Sequence, residues 1–147
     1  MTGTTSGVYG GGCLCGAVRY QAEGRPVVVA QCHCNACRRG SGAGHSTGAM
    51  FAVERFRLTG AVAEYRYRSD NGNDVTRVFC PTCGSPILGR NSGMTGYVTI
   101  TLGTVDDPSG LEPQVVVFAE NRQPWDAIDE SLPTFATQPN WKPGDEV

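Results

Sequence analysis

The chain has 147 residues, 39% of them hydrophobic and 18% charged, with a formal net charge of −2. That length fits one domain with a modest core, and the acidic balance, with an isoelectric point near 5.6, lacks the basic surface by which nucleic-acid binders draw in phosphates. No apolar run approaches the roughly 20 residues that span a bilayer, and the start carries neither the basic nor the apolar stretch of a signal segment, so the expected setting is the cytoplasm, with neither nucleic acid nor membrane as partner.

Residues 1–11, rich in Gly, Thr and Ser, read as a flexible segment. Apolar and polar residues then alternate over 17–22, 63–68 and 97–102, with the β-branched and aromatic side chains of half-buried strands. Shorter apolar runs at 27–30, 75–79 and 115–119 fit strands buried on both faces. Turn residues separate these runs, and Asn71-Gly72 is a strong hairpin signal between the strands around Tyr65 and Val78. Helix is scarce: a short turn over 35–39, and another over 125–129 between Pro124 and Pro133. The pattern predicts a mainly β protein with very little helix, one domain over 12–136, and an extended or disordered tail over 137–147.

Zinc enters through the cysteines. The seven fall into tight groups: Cys13 and Cys15; Cys32, Cys34 and Cys37; Cys80 and Cys83. In a reducing compartment such C-x-C and C-x-x-C spacings are metal-ligand patterns, whereas an odd count without a signal segment argues against disulfides. Seven divides into four and three. A closed structural zinc takes four protein ligands, while a catalytic zinc takes three and keeps a position open.

On extended chain, Cys13 and Cys15 would face one way, and Cys80-Pro81-Thr82-Cys83-Gly84 has the form of a zinc knuckle. Cys13, Cys15, Cys80 and Cys83 therefore form the expected structural site. Cys32, Cys34 and Cys37 form the expected catalytic one, able to close on zinc at about 2.3 Å each and to keep a further thiol deprotonated. A pairing of Cys13 and Cys15 with Cys32 and Cys34 would instead leave the knuckle without a partner, and a distant side chain or a second subunit closing the three-cysteine site is a further option. His33, between two ligands, would point away from their metal as a packed histidine. His45 is a candidate fourth ligand or acid/base group for the cluster, and Arg38 and Arg39 offer guanidinium groups for the carboxylate of an anionic thiol or stand simply solvated.

Taken together, Cys13-Leu14-Cys15-Gly16-Ala17-Val18-Arg19-Tyr20, Cys32-His33-Cys34-Asn35-Ala36-Cys37-Arg38-Arg39 and Phe79-Cys80-Pro81-Thr82-Cys83-Gly84 resemble the glutathione-dependent formaldehyde-activating enzyme family, which includes the centromere protein V group. Gly103-Thr104-Val105-Asp106-Asp107-Pro108, Arg122-Gln123-Pro124-Trp125 and Leu132-Pro133-Thr134-Phe135 extend the likeness from about Gly12 to Phe135. The resemblance implies a β-tent fold of mostly antiparallel sheets clamped by zinc, making 12–136 a zinc-binding β domain, with Cys13, Cys15, Cys80 and Cys83 as structural ligands and Cys32, Cys34 and Cys37 as catalytic ones. It also implies addition of glutathione to formaldehyde, a carbon-sulfur lyase reaction of the S-(hydroxymethyl)glutathione synthase kind. Two zinc ions per chain, a small thiol and a small aldehyde are the partners expected on this reading, and a homodimer is allowed. The competing readings are a zinc-stabilised binding module without catalysis, and a thiol or zinc sensor.

Overall fold

A computed structural model describes residues 7–146. Among them ten strands form two sheets: β1 (Val8–Gly12), β2 (Arg19–Glu23) and β5 (Phe56–Thr59) in a small sheet ordered β1-β2-β5, and the rest in a larger one. The larger sheet runs β10 (Val115–Val117), β3 (Val28–Cys32), β4 (Ser46–Ala52), β9 (Tyr97–Thr101), β8 (Pro86–Asn91), β7 (Asp74–Phe79), β6 (Ala63–Arg68). Every strand pairing is antiparallel except that of β3 with β10. One α-helix, α1 (Asn35–Ser41), and short 3-10 turns complete the described chain, so the fold is mainly β, as its sequence pattern predicts.

Alternation explains how the sheets meet. Tyr9, Tyr20 and Ala22 of the small sheet turn the same way as Val18 and pack on Phe51, Ile87, Leu88, Val98 and Ile100 of the large one in one buried cluster. The rings of Tyr9 and Phe51 stand 5.9 Å apart, those of Tyr20 and Phe56 5.5 Å. Each fully buried side chain such as Phe51 or Ile100 contributes roughly 1.5–3 kcal/mol of transfer free energy, and this shared core fixes the two sheets against each other. A smaller cluster of Val28, Val115 and Val117 is covered by Trp141 from the tail.

The hairpin at Asn71-Gly72 forms where expected: Gly72 takes φ +86°, and Arg68 faces Asp74 across its base. Three strands beyond β1 carry weak sequence signals. β4 is central yet contains Gly48, because the Thr99 methyl group occupies the place of a Cβ. β8 begins with Pro86 and contains Gly89, both of which argue against a strand in sequence. β5 has only four residues.

β1 corrects the expected flexible segment 1–11. Residues 1–6 lie outside the described chain, but Val8–Gly12 is a paired strand with Tyr9 in the core. Its glycines make room: a Cβ on Gly11 would collide with the Tyr20 hydroxyl and the Thr104 carbonyl. The expected helix over 125–129 is also replaced, here by a single turn at Pro124-Trp125 whose Asp126 N–H donates to the Gln123 carbonyl at 3.0 Å.

If β1 is bound through this close approach, Gly11→Ala should lower the unfolding free energy by about 1–3 kcal/mol through overpacking. Gly103→Ala, where a Cβ meets nothing within 4 Å, should be close to neutral. Denaturant titration of both variants checks the pair, and an equal response would remove the packing role given to Gly11.

Candidate metal centres

Each cysteine group stands at the end of a strand. Cys13 follows β1, Cys32 closes β3, and Cys80 follows β7. Strand ends are where backbone hydrogen bonding stops and a chain can turn side chains inward together.

Cys13, Cys15, Cys80 and Cys83 converge, their sulfurs within 4.8 Å of one another. Cys13 Sγ lies 3.6 Å from Cys15 Sγ, which lies 3.8 Å from Cys80 Sγ. Cys13 and Cys15 do so from a tight turn rather than from extended chain: the Gly16 N–H donates to the Cys13 carbonyl at 3.2 Å, and Gly16 sits at φ +85°. Leu14 points outward, 88% exposed. Across from it a register shift between Val78 and Phe79 bends β7 into the knuckle, as β-bulges do. The Gly84 N–H closes the knuckle on the Cys80 carbonyl at 2.9 Å, while the N–H groups of Thr82 and Cys83 point at Cys80 Sγ from 3.4 and 3.5 Å. Ser85 joins the two loops, accepting from the Leu14 N–H at 3.0 Å and standing 3.3 Å from Cys83 Sγ. Its hydroxyl, then its backbone group, push the Cys83 thiol down to about 5.

Cys32, Cys34 and Cys37 meet separately. Cys34 is the N-cap of α1, its sulfur accepting from the Cys37 N–H at 3.3 Å, and the first helical turn carries Cys37 back toward Cys32. Charge is uneven in the cluster. Hydrogen bonds from Cys32 and Cys34, with the Arg77 guanidinium beyond them, hold Cys37 well below an ordinary thiol, whereas the neighbouring sulfurs of Cys34 and Cys37 push Cys32 up. The pairing of Cys13 and Cys15 with Cys32 and Cys34 is not formed. Both cysteine sets suit zinc, being all-sulfur donors that converge on one point.

Arg77 escaped the sequence reading, which looked to Arg38 and Arg39 for cations. From β7 its Nη2 reaches Cys37 Sγ at 3.6 Å and the Tyr67 hydroxyl at 3.0 Å. Gly40 of α1 leaves it space, since a Cβ there would come within 3.2 Å of the guanidinium. Arg39 is exposed, while Arg38 is half-buried with its Nε unpaired.

His45 does not fold over the cysteines. Its Nδ1 lies 2.7 Å from Asp126 Oδ2, and the same carboxylate oxygen stands 3.3 Å from His33 Nδ1. His33 is buried away from the sulfurs, and burial first, then the neighbouring His45, lowers its pKa. Asp126 contacts His45 across 81 positions of sequence, a distance that no local pattern reports.

A family model described as glutathione-dependent formaldehyde-activating enzyme matches residues 8–121. A crystal structure of a Rhodobacter sphaeroides protein aligns with a TM-score of 0.56 and 22% identity, covering 71% of this chain and 96% of that one; likeness at that identity speaks to fold alone. No curated protein matches the chain. Among the described residues no helix is long and apolar enough to cross a membrane.

If Ser85 ties the turn at Leu14 to the knuckle, Ser85→Ala should cost about 1 kcal/mol, a fall in the thermal midpoint of roughly 3 °C. Ser85→Thr, which keeps the hydroxyl, should recover most of it. Scanning calorimetry of the two variants checks this, and identical midpoints would mean that the hydroxyl holds nothing.

Proposed function

The chain belongs to the glutathione-dependent formaldehyde-activating enzyme family, and on that premise we propose that it joins a small thiol, glutathione first among them, to formaldehyde or a related small electrophile at Cys32, Cys34 and Cys37. The observation that carries this reading is the three-sulfur cluster with the Arg77 cation laid against Cys37. Three ligands leave a tetrahedral ion one position short of closure, unlike the set of four at Cys13, Cys15, Cys80 and Cys83. We accordingly assign the chain two zinc ions, one structural and one at the reaction site. When bound at the latter, zinc supplies the positive charge that keeps an incoming thiol deprotonated near neutral pH.

The residues around the cluster fit the rest of the task. Arg77 balances the negative charge that accumulates on Cys37, and Tyr67 fixes the guanidinium by accepting from Nε at 3.3 Å and Nη2 at 3.0 Å. Arg38, with its buried unpaired Nε, offers a carboxylate partner beside the cluster.

In the reaction the sulfur lone pair of the thiolate forms a bond to the aldehyde carbon. The C=O π pair moves to oxygen, which takes up one proton to replace the one the thiol gave up, and nothing is oxidised or reduced. The reverse breaks the carbon-sulfur bond, which makes the activity that of a carbon-sulfur lyase. Thiol and aldehyde combine unaided, so the contribution of the protein is proximity and a supply of thiolate. A cytoplasmic setting, where thiols stay reduced, suits both the substrate and the free cysteines.

Exchange between formaldehyde, glutathione and their adduct, followed by NMR with zinc-loaded protein, tests the proposal. Cys34→Ser should remain folded and lose at least about tenfold of the acceleration, more than 1.4 kcal/mol of barrier lowering. Cys80→Ser should instead lower thermal stability by several kcal/mol as the structural ion is lost. No acceleration by the wild-type protein would remove this pair of substrates and favour a binding module. Equal unfolding of both variants would overturn the division into structural and catalytic ions.

A further inference from the structure

Outside the two cysteine clusters, His33, His45 and Asp126 place three ligand atoms within 4.8 Å of one another. They come from separate parts of the chain: His33 from the junction of β3 and α1, His45 from the loop before β4, and Asp126 from the segment after the last 3-10 turn. The Asp126 carboxylate reaches the group because position 44 is glycine; a Cβ there would collide with it. The two imidazole rings lie 4.8 Å apart at an interplanar angle of 37°.

His33 is the informative member. Its side chain is 0% exposed, yet neither Nδ1 nor Nε2 has a hydrogen-bond partner. A buried histidine ordinarily gives one ring N–H to a carbonyl or carboxylate, and a buried polar group left unpaired costs about 1–3 kcal/mol. A carboxylate oxygen stands 3.3 Å from Nδ1 but outside hydrogen-bonding geometry. That separation is close to the roughly 3.3 Å expected between ligands sharing a tetrahedral ion at about 2.0–2.1 Å, while His45 Nδ1, hydrogen-bonded to the same oxygen at 2.7 Å, would move outward by a few tenths of an ångström as an ion replaces the shared proton. His45 and Asp126 are partly open, with side chains 22% and 15% exposed, which gives an ion a way in from solvent.

We propose that His33, His45 and Asp126 form a third metal site, for a divalent first-row transition ion such as zinc, sharing no ligand with either cysteine cluster. Two imidazoles and one carboxylate are a nitrogen and oxygen donor set that suits zinc and its neighbours. Three protein ligands leave the ion room for water or a small anion. The ion relieves the unpaired nitrogen of His33 that faces Asp126 and neutralises the carboxylate. The site stands on these three side chains and holds whether or not the cysteine cluster activates formaldehyde.

Cobalt separates the sites by donor type, because thiolate-bound Co²⁺ shows intense sulfur-to-metal charge transfer and an imidazole-carboxylate site shows only weak visible bands. Full-length metal-free protein given two equivalents of zinc per chain, which the seven thiolates take first, then titrated with Co²⁺ under anaerobic conditions, should bind one further equivalent with weak visible absorption and no charge-transfer band. His45→Ala and Asp126→Asn should each bind one equivalent of metal per chain fewer than wild type by elemental analysis, while Cys34→Ser retains the weak cobalt spectrum. Circular dichroism would confirm that the variants are folded, and His45 and Asp126, both partly exposed, give two independent routes should one variant fail. Equal metal content in wild type and both variants, or charge-transfer bands from the added cobalt, would overturn the site. Disappearance of the weak spectrum in Cys34→Ser would place the ion at the cysteines and overturn it too.

Discussion

The constraint on which the structure depends is the meeting of two strand ends from different sheets at four sulfurs. Cys13 leaves the small sheet at the end of β1, and Cys80 leaves the large sheet at the end of β7. Their loops join through Ser85 and the Leu14 N–H. A buried core already presses the sheets together, but hydrophobic contact is non-directional and tolerates sliding. Ligands converging on one point do not. An ion held at the four cysteines, as proposed, would therefore set the register between the sheets, which a chain of 147 residues could otherwise specify only with more core than its length provides.

With the sheets fixed, the second cluster is held from both sides of the large sheet's central region. Cys32 pairs with Ser46 on β4 and with Val117 on β10, so its position is set by two neighbouring strands rather than by a loop. Cys37 rides on α1, and the helix is in turn held against β7 where the Arg77 guanidinium lies over Gly40. The glycine weakens the helix by about 1 kcal/mol relative to alanine, and a seven-residue helix has little intrinsic stability to lose. What the chain gains is a cation held at the sulfur. Placement of charge has been preferred here to helix propensity, a conflict between levels that is typical of functional positions.

Much of this was legible in the sequence because it is local. Alternation over 63–68 and 97–102 predicts β6 and β9, Asn71-Gly72 predicts the hairpin, and the division of the cysteines into four and three matches the clusters that form. The unread features depend on contacts between distant segments. β1 was hidden because glycines carry no pattern; they are required by the Tyr20 hydroxyl and the Thr104 carbonyl, neither of which is near in sequence. β4 and β8 were hidden by Gly48, Pro86 and Gly89 for similar reasons. Arg77 is one arginine among several in a strand whose pattern says only that it is half-buried, and Asp126 acquires its meaning from histidines far upstream.

The tripeptide Cys32-His33-Cys34 draws these strands of argument together. At the end of β3 successive side chains leave on opposite sides, and the structure sends Cys32 and Cys34 to one cluster and His33 to another. One short stretch of backbone thus supplies ligands to two centres. The His33 N–H donates to the Val117 carbonyl at 3.1 Å, which pins the midpoint of the stretch to β10. Around that fixed point any rotation that improves the aim of His33 changes the aim of both sulfurs. An ion held by His33, His45 and Asp126 would therefore act on the neighbouring cysteines through backbone orientation, without touching them. The buried histidine between two cysteines would in this sense position the cluster it does not join, and the carboxylate of Asp126 that reaches it ties the C-terminal segment to the three-sulfur cluster.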